Sequence, residues 1–324
     1  MTTEETSGFV WDEGHSQVNQ LIENIEKVMV GKREVIRLCI AALLAKGHVL
    51  LEDVPGVGKT MLVKALARSL GCRFRRIQFT PDLLPSDVVG VSVFNQKSLD
   101  FEYRPGPLMS HVVLADEINR TSPKTQAAML EAMEEGHVTV DGHTYPLPTP
   151  FFVMATQNPI EHEGTFPLPE AQLDRFLFKL RLGYPTQDEE VDMLRRTLSD
   201  QPLEQLDQVW SEADLTGLQH EVLKLHVDQA LVAFIVQLVA ATREQDDIYL
   251  GASPRASLAL FRAAQAWALM CGRDYVLPDD IVFLVPHVLA HRLLLTPEAR
   301  LRGVSPSYLL SRILQGISVP IAPK

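Results

Sequence analysis

The chain has 324 residues, of which 46% are hydrophobic and 22% are charged, and its 30 Lys and Arg against 41 Asp and Glu give a formal net charge of −11. This composition is typical of a soluble globular protein long enough for two domains, and it excludes a wholly disordered chain. The acidic balance also argues against a protein that coats DNA or RNA, because such a protein needs a basic face to displace phosphate counterions.

The sequence shows no signal for export or membrane insertion. Residues 1–14 are acidic and lack the basic and apolar regions of a secretory signal. The most apolar later stretch, residues 230–241, contains a glutamine and is too short to cross a bilayer roughly 30 Å thick. The three cysteines have no CxxC spacing, so neither a disulfide framework nor a zinc site is predicted. We therefore expect a cytoplasmic protein.

Five short apolar runs, separated by longer amphipathic segments, follow one another between residues 16 and 181, as in an α/β domain. Because these runs are apolar on both faces, we expect a sheet that is covered by helices on each side. The predicted strands are residues 48–51, 75–79, 112–115, 151–156 and 176–180.

Two hairpins are predicted between these strands, one over residues 91–104 and one over 137–145, where Asp141-Gly142 is a strong two-residue turn signal. From residue 187 onward the apolar residues follow helical spacing, and almost no strand signal remains. The sequence therefore predicts an α/β domain over residues 1–185 and a smaller, all-helical domain over 186–324.

The strongest local signal is a predicted strand that runs into a glycine-rich loop and then into a helix beginning near Lys59, which is the context of a phosphate-binding loop. Lys59 would add a positive charge to the N–H groups of the loop, and Thr60 would offer a hydroxyl to Mg²⁺. Gly56 and Gly58 would let the backbone approach the phosphates closely. An ordinary strand-turn-helix connection is the structural alternative.

Asp53 stands where the GxxxxGK(S/T) pattern has its first glycine. Because Asp is one of the few residues that tolerate left-handed backbone geometry, we expect the turn to survive this difference. The residues predicted to contact the nucleotide are Asp53, Val54, Pro55, Gly56, Val57, Gly58, Lys59, Thr60 and Met61.

Polar residues also follow two of the buried strands. Asp116 and Glu117 come directly after residues 112–115, and Asn158 follows residues 151–156. Asp116 would hold Mg²⁺ through water, Glu117 would act as general base on the attacking water, and Asn158 would orient that water or contact the γ-phosphate. The alternatives are two solvated acids at a strand end and, for Asn158, a turn residue before proline.

Arg255 follows Ser253 and Pro254, which have the pattern of the N-cap and first residue of a helix. A cation in this first turn is disfavoured by the helix dipole by about 0.3 to 1 kcal/mol, so an anion should face Arg255. The structural candidates are Asp246 and Asp247, and the functional candidate is the γ-phosphate of a nucleotide.

Taken together, these segments resemble the MoxR-type AAA+ ATPases over nearly the whole chain. The resemblance is carried by LEDVPGVGKT (51–60), FEYRPGP (101–107), ADEINRTSPKTQAAMLEAMEEG (115–136), ATQNP (155–159), LPEAQLDRF (168–176) and GASPRA (251–256). It implies a P-loop AAA+ core with a parallel five-stranded sheet, a helical lid, and hydrolysis of ATP with Mg²⁺. The roles it implies are Walker A for Lys59 and Thr60, Walker B for Asp116 and Glu117, sensor 1 for Asn158, and sensor 2 for Arg255.

The resemblance further implies a ring of subunits, usually hexameric. Arg175 would be the arginine finger that enters the neighbouring subunit's site, although a helix C-terminus alone would also explain an arginine at this position. Arg120 is the rival for this role. Arg255 would close the site between the core and the lid, and the two hairpins would point toward the central pore.

The function that this resemblance implies is chaperone-like remodelling or maturation of a partner protein, often one with a von Willebrand factor A domain. The alternative is a helicase-like motor that acts on nucleic acid. The two hairpin turns disfavour this alternative, because neither has the net positive charge that contact with phosphates needs. One turn carries Asp141, and in the other the single Lys97 is balanced by Asp100. A nucleotide switch without hydrolysis is disfavoured by the presence of Glu117 and Arg175.

Overall fold

The structure, a computed structural model, describes residues 4–159, 165–197 and 203–320. Up to residue 180, helices and strands alternate: α1 (Glu4–Glu26), α2 (Arg33–Leu44), β1 (Val49–Glu52), α3 (Lys59–Ser69), β2 (Phe74–Gln78), α4 (Pro85–Val89), β3 (Gly90–Asn95), β4 (Asp100–Pro105), β5 (Val112–Asp116), α5 (Pro123–Glu135), β6 (His137–Val140), β7 (His143–Pro146), β8 (Phe152–Gln157), α6 (Glu170–Leu173) and β9 (Phe178–Leu180). The later elements are α7 (Gln187–Thr197), α8 (Glu212–Lys224), α9 (Gln229–Ala241), β10 (Ile248–Leu250), α10 (Pro254–Met270), α11 (Pro278–Leu289), β11 (Leu294–Leu295), α12 (Pro297–Leu301) and α13 (Pro306–Gly316).

A five-stranded parallel sheet in the order β2-β5-β8-β1-β9 organises the first part of the chain. Residues of one strand belong alternately to two buried apolar clusters: Val112 and Leu114 of β5 lie in one cluster, and Val113 and Ala115 lie in the other. Both faces of the sheet are therefore covered, which explains why the inner strands β1, β5 and β8 are mainly apolar without alternation. The edge strand β2 differs, because its Arg75, Arg76 and Gln78 are exposed. The five predicted strands and the α/β fold class are confirmed.

Both predicted hairpins are present as antiparallel pairs, β3 with β4 and β6 with β7. Asp141 and Gly142 form the second turn with φ values of 49° and 80°, the left-handed geometry that such a turn requires. The rings of Tyr103 and Tyr145 stack at 4.0 Å between centroids and join the two hairpins.

Helix α10 is the centre of the later, mainly helical part, where it contacts α8, α9 and α11. It also contacts α1 and α2, so one buried core runs from the N-terminal helices into the later helices and crosses residue 185. The division of the chain into two domains at that residue stays a prediction. Within the described ranges, no helix is long and apolar enough to span a bilayer.

The expectation of a purely helical second part was wrong in one respect. Strand β10 pairs antiparallel with β11, so a small two-stranded sheet lies among the helices. These strands have 3 and 2 residues. Strands this short leave no recognisable alternating pattern in the sequence, because two or three residues cover about one period of two and cannot show a repeat.

Candidate functional site

The loop between β1 and α3 begins at the carboxyl edge of the sheet. Gly56 and Gly58 have φ values of 89° and 96°, a left-handed geometry that a residue with a Cβ adopts only under strain. Gly58 is the N-cap residue of α3, and Lys59 and Thr60 form the start of that helix. Unpaired N–H groups at a helix N-terminus attract anions, so the local structure suits a phosphate group.

Lys59 lies against this loop rather than in solvent. Its Nζ donates hydrogen bonds to the carbonyl oxygens of Asp53 at 2.5 Å and Val54 at 3.1 Å. Burial lowers the pKa of Lys59, and the negative charges of Asp53, Asp116 and Glu117 oppose that shift. The candidate phosphate-binding lysine and the two acids that follow β5 therefore interact electrostatically, as the sequence predicts for one site.

The reason expected for Asp53 was wrong. Asp53 does not have a left-handed φ. Its buried carboxylate instead accepts hydrogen bonds from two backbone N–H groups, that of Val54 to Oδ1 at 3.0 Å and that of Gly183 to Oδ2 at 2.7 Å. Asp53 thus connects the start of the loop to the segment between β9 and α7. Glycine, which has no side chain, could not make this connection.

We expect Asp53→Gly, which restores the general loop pattern, to destabilise the protein. Two hydrogen bonds to buried or half-buried backbone groups would be lost, at about 1 kcal/mol each. Denaturant unfolding should show a loss of about 2 kcal/mol, and an ATP titration should show weaker binding. Asp53→Asn is the matched control, since it keeps one acceptor oxygen and should lose less. Unchanged stability together with tighter ATP binding in Asp53→Gly would contradict this account.

The strand before the loop is anchored by a buried acid. Glu52 Oε1 pairs with Lys179 Nζ at 2.6 Å, and Glu52 Oε2 pairs with Arg181 Nη2 at 2.7 Å. Burial raises the pKa of Glu52, but the hydrogen bonds from Arg181 and Lys179 outweigh it, so this pKa lies below its ordinary value. The end of β1 is therefore fixed to β9 and its continuation.

Asp116 ends β5, and both of its carboxylate oxygens are hydrogen-bonded. Thr156 Oγ1 donates to Oδ1 at 2.6 Å, and Arg76 Nη2 and Nε donate to Oδ2 at 2.5 and 3.0 Å. The sequence reasoning missed Thr156 and Arg76. A signal for Thr156 existed, because it is a hydroxyl residue in an apolar strand that pairs with β5.

Glu117 turns away from the strand direction at φ 59°, in the left-handed region that non-glycine residues occupy at a cost. Its N–H donates to Thr156 Oγ1 at 2.8 Å. Its Oε2 accepts from Gln78 Nε2 at 2.8 Å and from Arg120 Nη1 at 3.0 Å. Arg120 therefore lies beside Glu117 of its own chain.

Asn158 lies at the same edge and is buried. It follows β8, which lies between β5 and β1, and the N–H of Asp53 donates to the carbonyl of the preceding Gln157 at 3.2 Å. The structure thus brings Asn158 between the loop that carries Lys59 and the strand that ends in Asp116.

Thr60 and Asp116 are the predicted ligands of Mg²⁺, directly or through water. Hydroxyl and carboxylate oxygens are the hard donors that this ion prefers, and Mg²⁺ usually keeps several waters. Each carboxylate oxygen has two acceptor sites, so the bonds from Thr156 and Arg76 leave Asp116 capacity for a metal-bound water. The donor set fits the ion.

The two candidate arginines lie together at another place. Arg175 Nη2 contacts Glu134 Oε2 at 3.2 Å, and Arg255 Nη2 contacts Glu134 Oε1 at 2.7 Å. Glu134, in the last turn of α5, is thus the anion that faces Arg255. The expectation of Asp246 or Asp247 was wrong, because Asp247 pairs with Arg302 instead. Sequence spacing gave no signal for Glu134, which is 121 residues before Arg255 in the chain.

This arginine pair lies at the amino edge of the sheet. Arg175 and Arg255 line a cavity of about 300 Å³ together with Gly47 and His48, which precede β1. The phosphate-binding loop follows β1, whose four residues span about 13 Å. Arg255 therefore does not close the site at Lys59 of its own chain, and that expectation was wrong. The sequence locates Arg255 in a helix but does not tell which edge of the sheet that helix reaches.

Comparisons with known proteins agree with this geometry. The family model of ATPases associated with various cellular activities matches residues 48–178, and the model of the AAA lid domain matches residues 240–313. Chaperone MoxR1 of Mycobacterium tuberculosis is 45% identical over 94% of this chain and 82% of its own length. Uncharacterized protein YeaC of Bacillus subtilis is 59% identical over 95% of this chain and 96% of its own length.

A solved structure shares the whole fold. The crystal structure of a predicted ATPase from Cytophaga hutchinsonii superposes with a TM-score of 0.91 over 98% of this chain and 99% of the other, at 39% sequence identity. Sequence identity at these levels over nearly the full length and the two family matches point to one family. The parallel sheet with its glycine-rich loop agrees with them. This chain belongs to the MoxR-type AAA+ ATPases.

Proposed function

We propose that this protein hydrolyses ATP with Mg²⁺ at sites shared between neighbouring subunits of a ring, and that it uses the reaction to remodel a client protein. One observation carries the shared site. The phosphate-binding loop and the acids lie at the carboxyl edge of the sheet, whereas Arg175 and Arg255 contact Glu134 and line a cavity at the amino edge. Two copies of the chain are needed to bring these halves together.

The residues at the carboxyl edge have distinct proposed roles. The loop N–H groups and Lys59 bind the phosphates, and Thr60 and Asp116 hold the ion. When bound, Mg²⁺ neutralises negative charge on the phosphate oxygens. Glu117 accepts a proton from the attacking water, and Asn158 orients that water. Gln78 and Arg120 hold the Glu117 carboxylate in place from the same chain.

The arginines at the amino edge are suited to a ligand from outside the chain. The Arg255 side chain is 61% exposed. The Arg175 side chain is 26% exposed, and both arginines share one acid, Glu134. Because two guanidinium groups carry more positive charge than one carboxylate neutralises, a further anion is attracted to them. We therefore assign both arginines to the neighbour's γ-phosphate, and Arg120, which pairs with its own Glu117, to the site of its own chain.

A protein client is favoured over nucleic acid by the surface of the first hairpin. Phe101 is 67% exposed and Leu99 is 75% exposed, and the Phe94 and Phe101 rings contact each other at 5.4 Å between centroids. Exposed apolar side chains suit contact with a polypeptide, whereas a strand of phosphates needs basic residues. The similarity to Chaperone MoxR1 supports the same choice. We propose that the client is a separate protein, either one with a von Willebrand factor A domain or another protein. Because the reaction consumes ATP, we also propose that the protein acts in the cytoplasm.

Replacing Glu117 with Gln tests the proposed reaction. We expect the variant to bind ATP with normal affinity but to release phosphate about 10² to 10⁴ times more slowly, because glutamine cannot accept the proton. Phosphate release at saturating ATP and Mg²⁺, with and without EDTA, measures the effect. Glu131→Gln is the matched control, since Glu131 is an exposed acid of α5, and it should retain full turnover. Normal turnover in Glu117→Gln would remove Glu117 as the base.

A further inference from the structure

A buried arginine holds the backbone on both sides of Arg175. Arg292 follows α11, and only 3% of its side chain is exposed. Its Nη2 donates to the carbonyl oxygens of Asp174 at 3.0 Å and Phe176 at 2.8 Å, and its Nη1 donates to that of Leu177 at 3.3 Å. One guanidinium therefore bonds to the residues immediately before and after Arg175.

The charge of Arg292 is balanced by Asp174, whose Oδ1 accepts from Arg292 Nε at 2.6 Å. A buried ion pair is costly to form unless its remaining groups are also hydrogen-bonded. Here the backbone carbonyls supply those bonds. Arg292 Nη1 also donates to the carbonyl oxygen of Val288 in α11. The guanidinium therefore ties the end of α11 to residues 174–177, and the pair fixes the path of the chain that presents Arg175.

Asp174 also reaches the helix that carries Arg255. Its Oδ2 accepts a hydrogen bond from Ser253 Oγ at 2.8 Å. Ser253 occupies the N-cap position of α10 but makes no capping hydrogen bond with its side chain. The predicted N-cap position of Ser253 and first helical position of Pro254 are confirmed, and the Ser253 hydroxyl is used on Asp174. The Asp174 carboxylate thus lies between Arg292 and the first turn of α10.

We propose that Asp174 and Arg292 form a positioning pair, which holds Arg175 and Arg255 on one surface so that both reach a neighbour's nucleotide together. This proposal rests on the proposed function. The pair does not contact the nucleotide itself, because Arg292 is buried and Asp174 is engaged on both oxygens. It joins α11, α10 and the segment before β9, so a shift of the later helices moves both arginines.

Asp174→Asn is the first test, since it removes the charge but keeps an acceptor for Arg292. We expect ATP affinity to stay within twofold of wild type, while kcat falls about 10- to 100-fold, because an ångström of misplacement is enough for such a loss. Mixing with Lys59→Ala, whose arginines are intact, should restore turnover. Ser253→Ala, which removes only the link to α10, should lose less. Asp247→Asn, which breaks the ion pair with Arg302 elsewhere in the later helices, should keep full kcat.

The outcomes separate this proposal from the proposed function. Full kcat in Asp174→Asn, with Arg175→Ala inactive, overturns the positioning pair and leaves the shared site standing. Full kcat in Arg175→Ala overturns the shared site. Equal losses of ATP affinity and kcat in Asp174→Asn, without restoration on mixing, assign the pair to folding alone and overturn the proposal. If Asp174→Asn does not fold, Ser253→Ala decides: a lowered kcat restored by Lys59→Ala supports the pair, and an unchanged kcat overturns it.

Discussion

Lys59→Ala is expected to weaken ATP binding by about 10²- to 10³-fold. A unit charge about 4 Å from a phosphate oxygen contributes about 4 kcal/mol at an effective dielectric constant of 20, and each 1.4 kcal/mol is a factor of ten in affinity. Lys59 Nζ already lies on the loop, bonded to the carbonyls of Asp53 and Val54, so its charge needs little movement to meet a phosphate. Calorimetric titration with ATP and Mg²⁺ measures the loss.

The control for this substitution lies on the same helix. Lys64 is an exposed lysine of α3, and Lys64→Ala should bind ATP as the wild type does. Lys59→Ala should stay folded and lose at most about 2 kcal/mol of stability, because two hydrogen bonds to loop carbonyls are removed while no core contact changes. Undiminished ATP affinity in Lys59→Ala would contradict the assignment of the phosphate-binding loop.

The sheet was predictable because burial leaves a direct mark on composition. Strands covered on both faces are mainly apolar, and β1, β5 and β8 are apolar except at their carboxyl ends, where the polar site residues begin. The carboxyl ends of parallel strands meet at one edge, so Lys59, Asp116 and Asn158 could be expected together from their positions after strands. The glycines at 56 and 58 were predictable for the same local reason, since their φ values exclude most other residues.

What could not be predicted depends on contacts between distant parts of the chain. Asp53 bonds to the N–H of Gly183, and Arg255 pairs with Glu134. No local pattern contains either contact. The position of Arg255 in the first turn of a helix correctly predicted that an anion faces it. Which residue supplies that anion, and at which edge of the sheet Arg255 lies, depend on how the later helices pack. The roles of the site residues stay predictions until the variants are measured.

Arg175→Ala is expected to lower ATP turnover by about 10³-fold or more, the range that a trans-acting arginine contributes to phosphoryl transfer. ATP binding should be nearly normal, because Arg175 lies at the opposite sheet edge from Lys59. Mixing with Lys59→Ala should restore activity, since one variant supplies an intact loop and the other supplies intact arginines. With random assembly about one quarter of the interfaces would be complete, so phosphate release should reach about one quarter of the wild-type rate.

Further mixtures distinguish the three arginines. The double variant Lys59→Ala with Arg175→Ala should rescue neither single variant, because it supplies no intact half-site. Arg255→Ala should follow the pattern of Arg175→Ala, because both guanidinium groups contact Glu134. Arg120→Ala should be rescued by Arg175→Ala but not by Lys59→Ala, because Arg120 pairs with Glu117 of its own chain. Rescue of Arg120→Ala by Lys59→Ala, together with no rescue of Arg175→Ala, would make Arg120 the trans-acting residue and reverse the assignment.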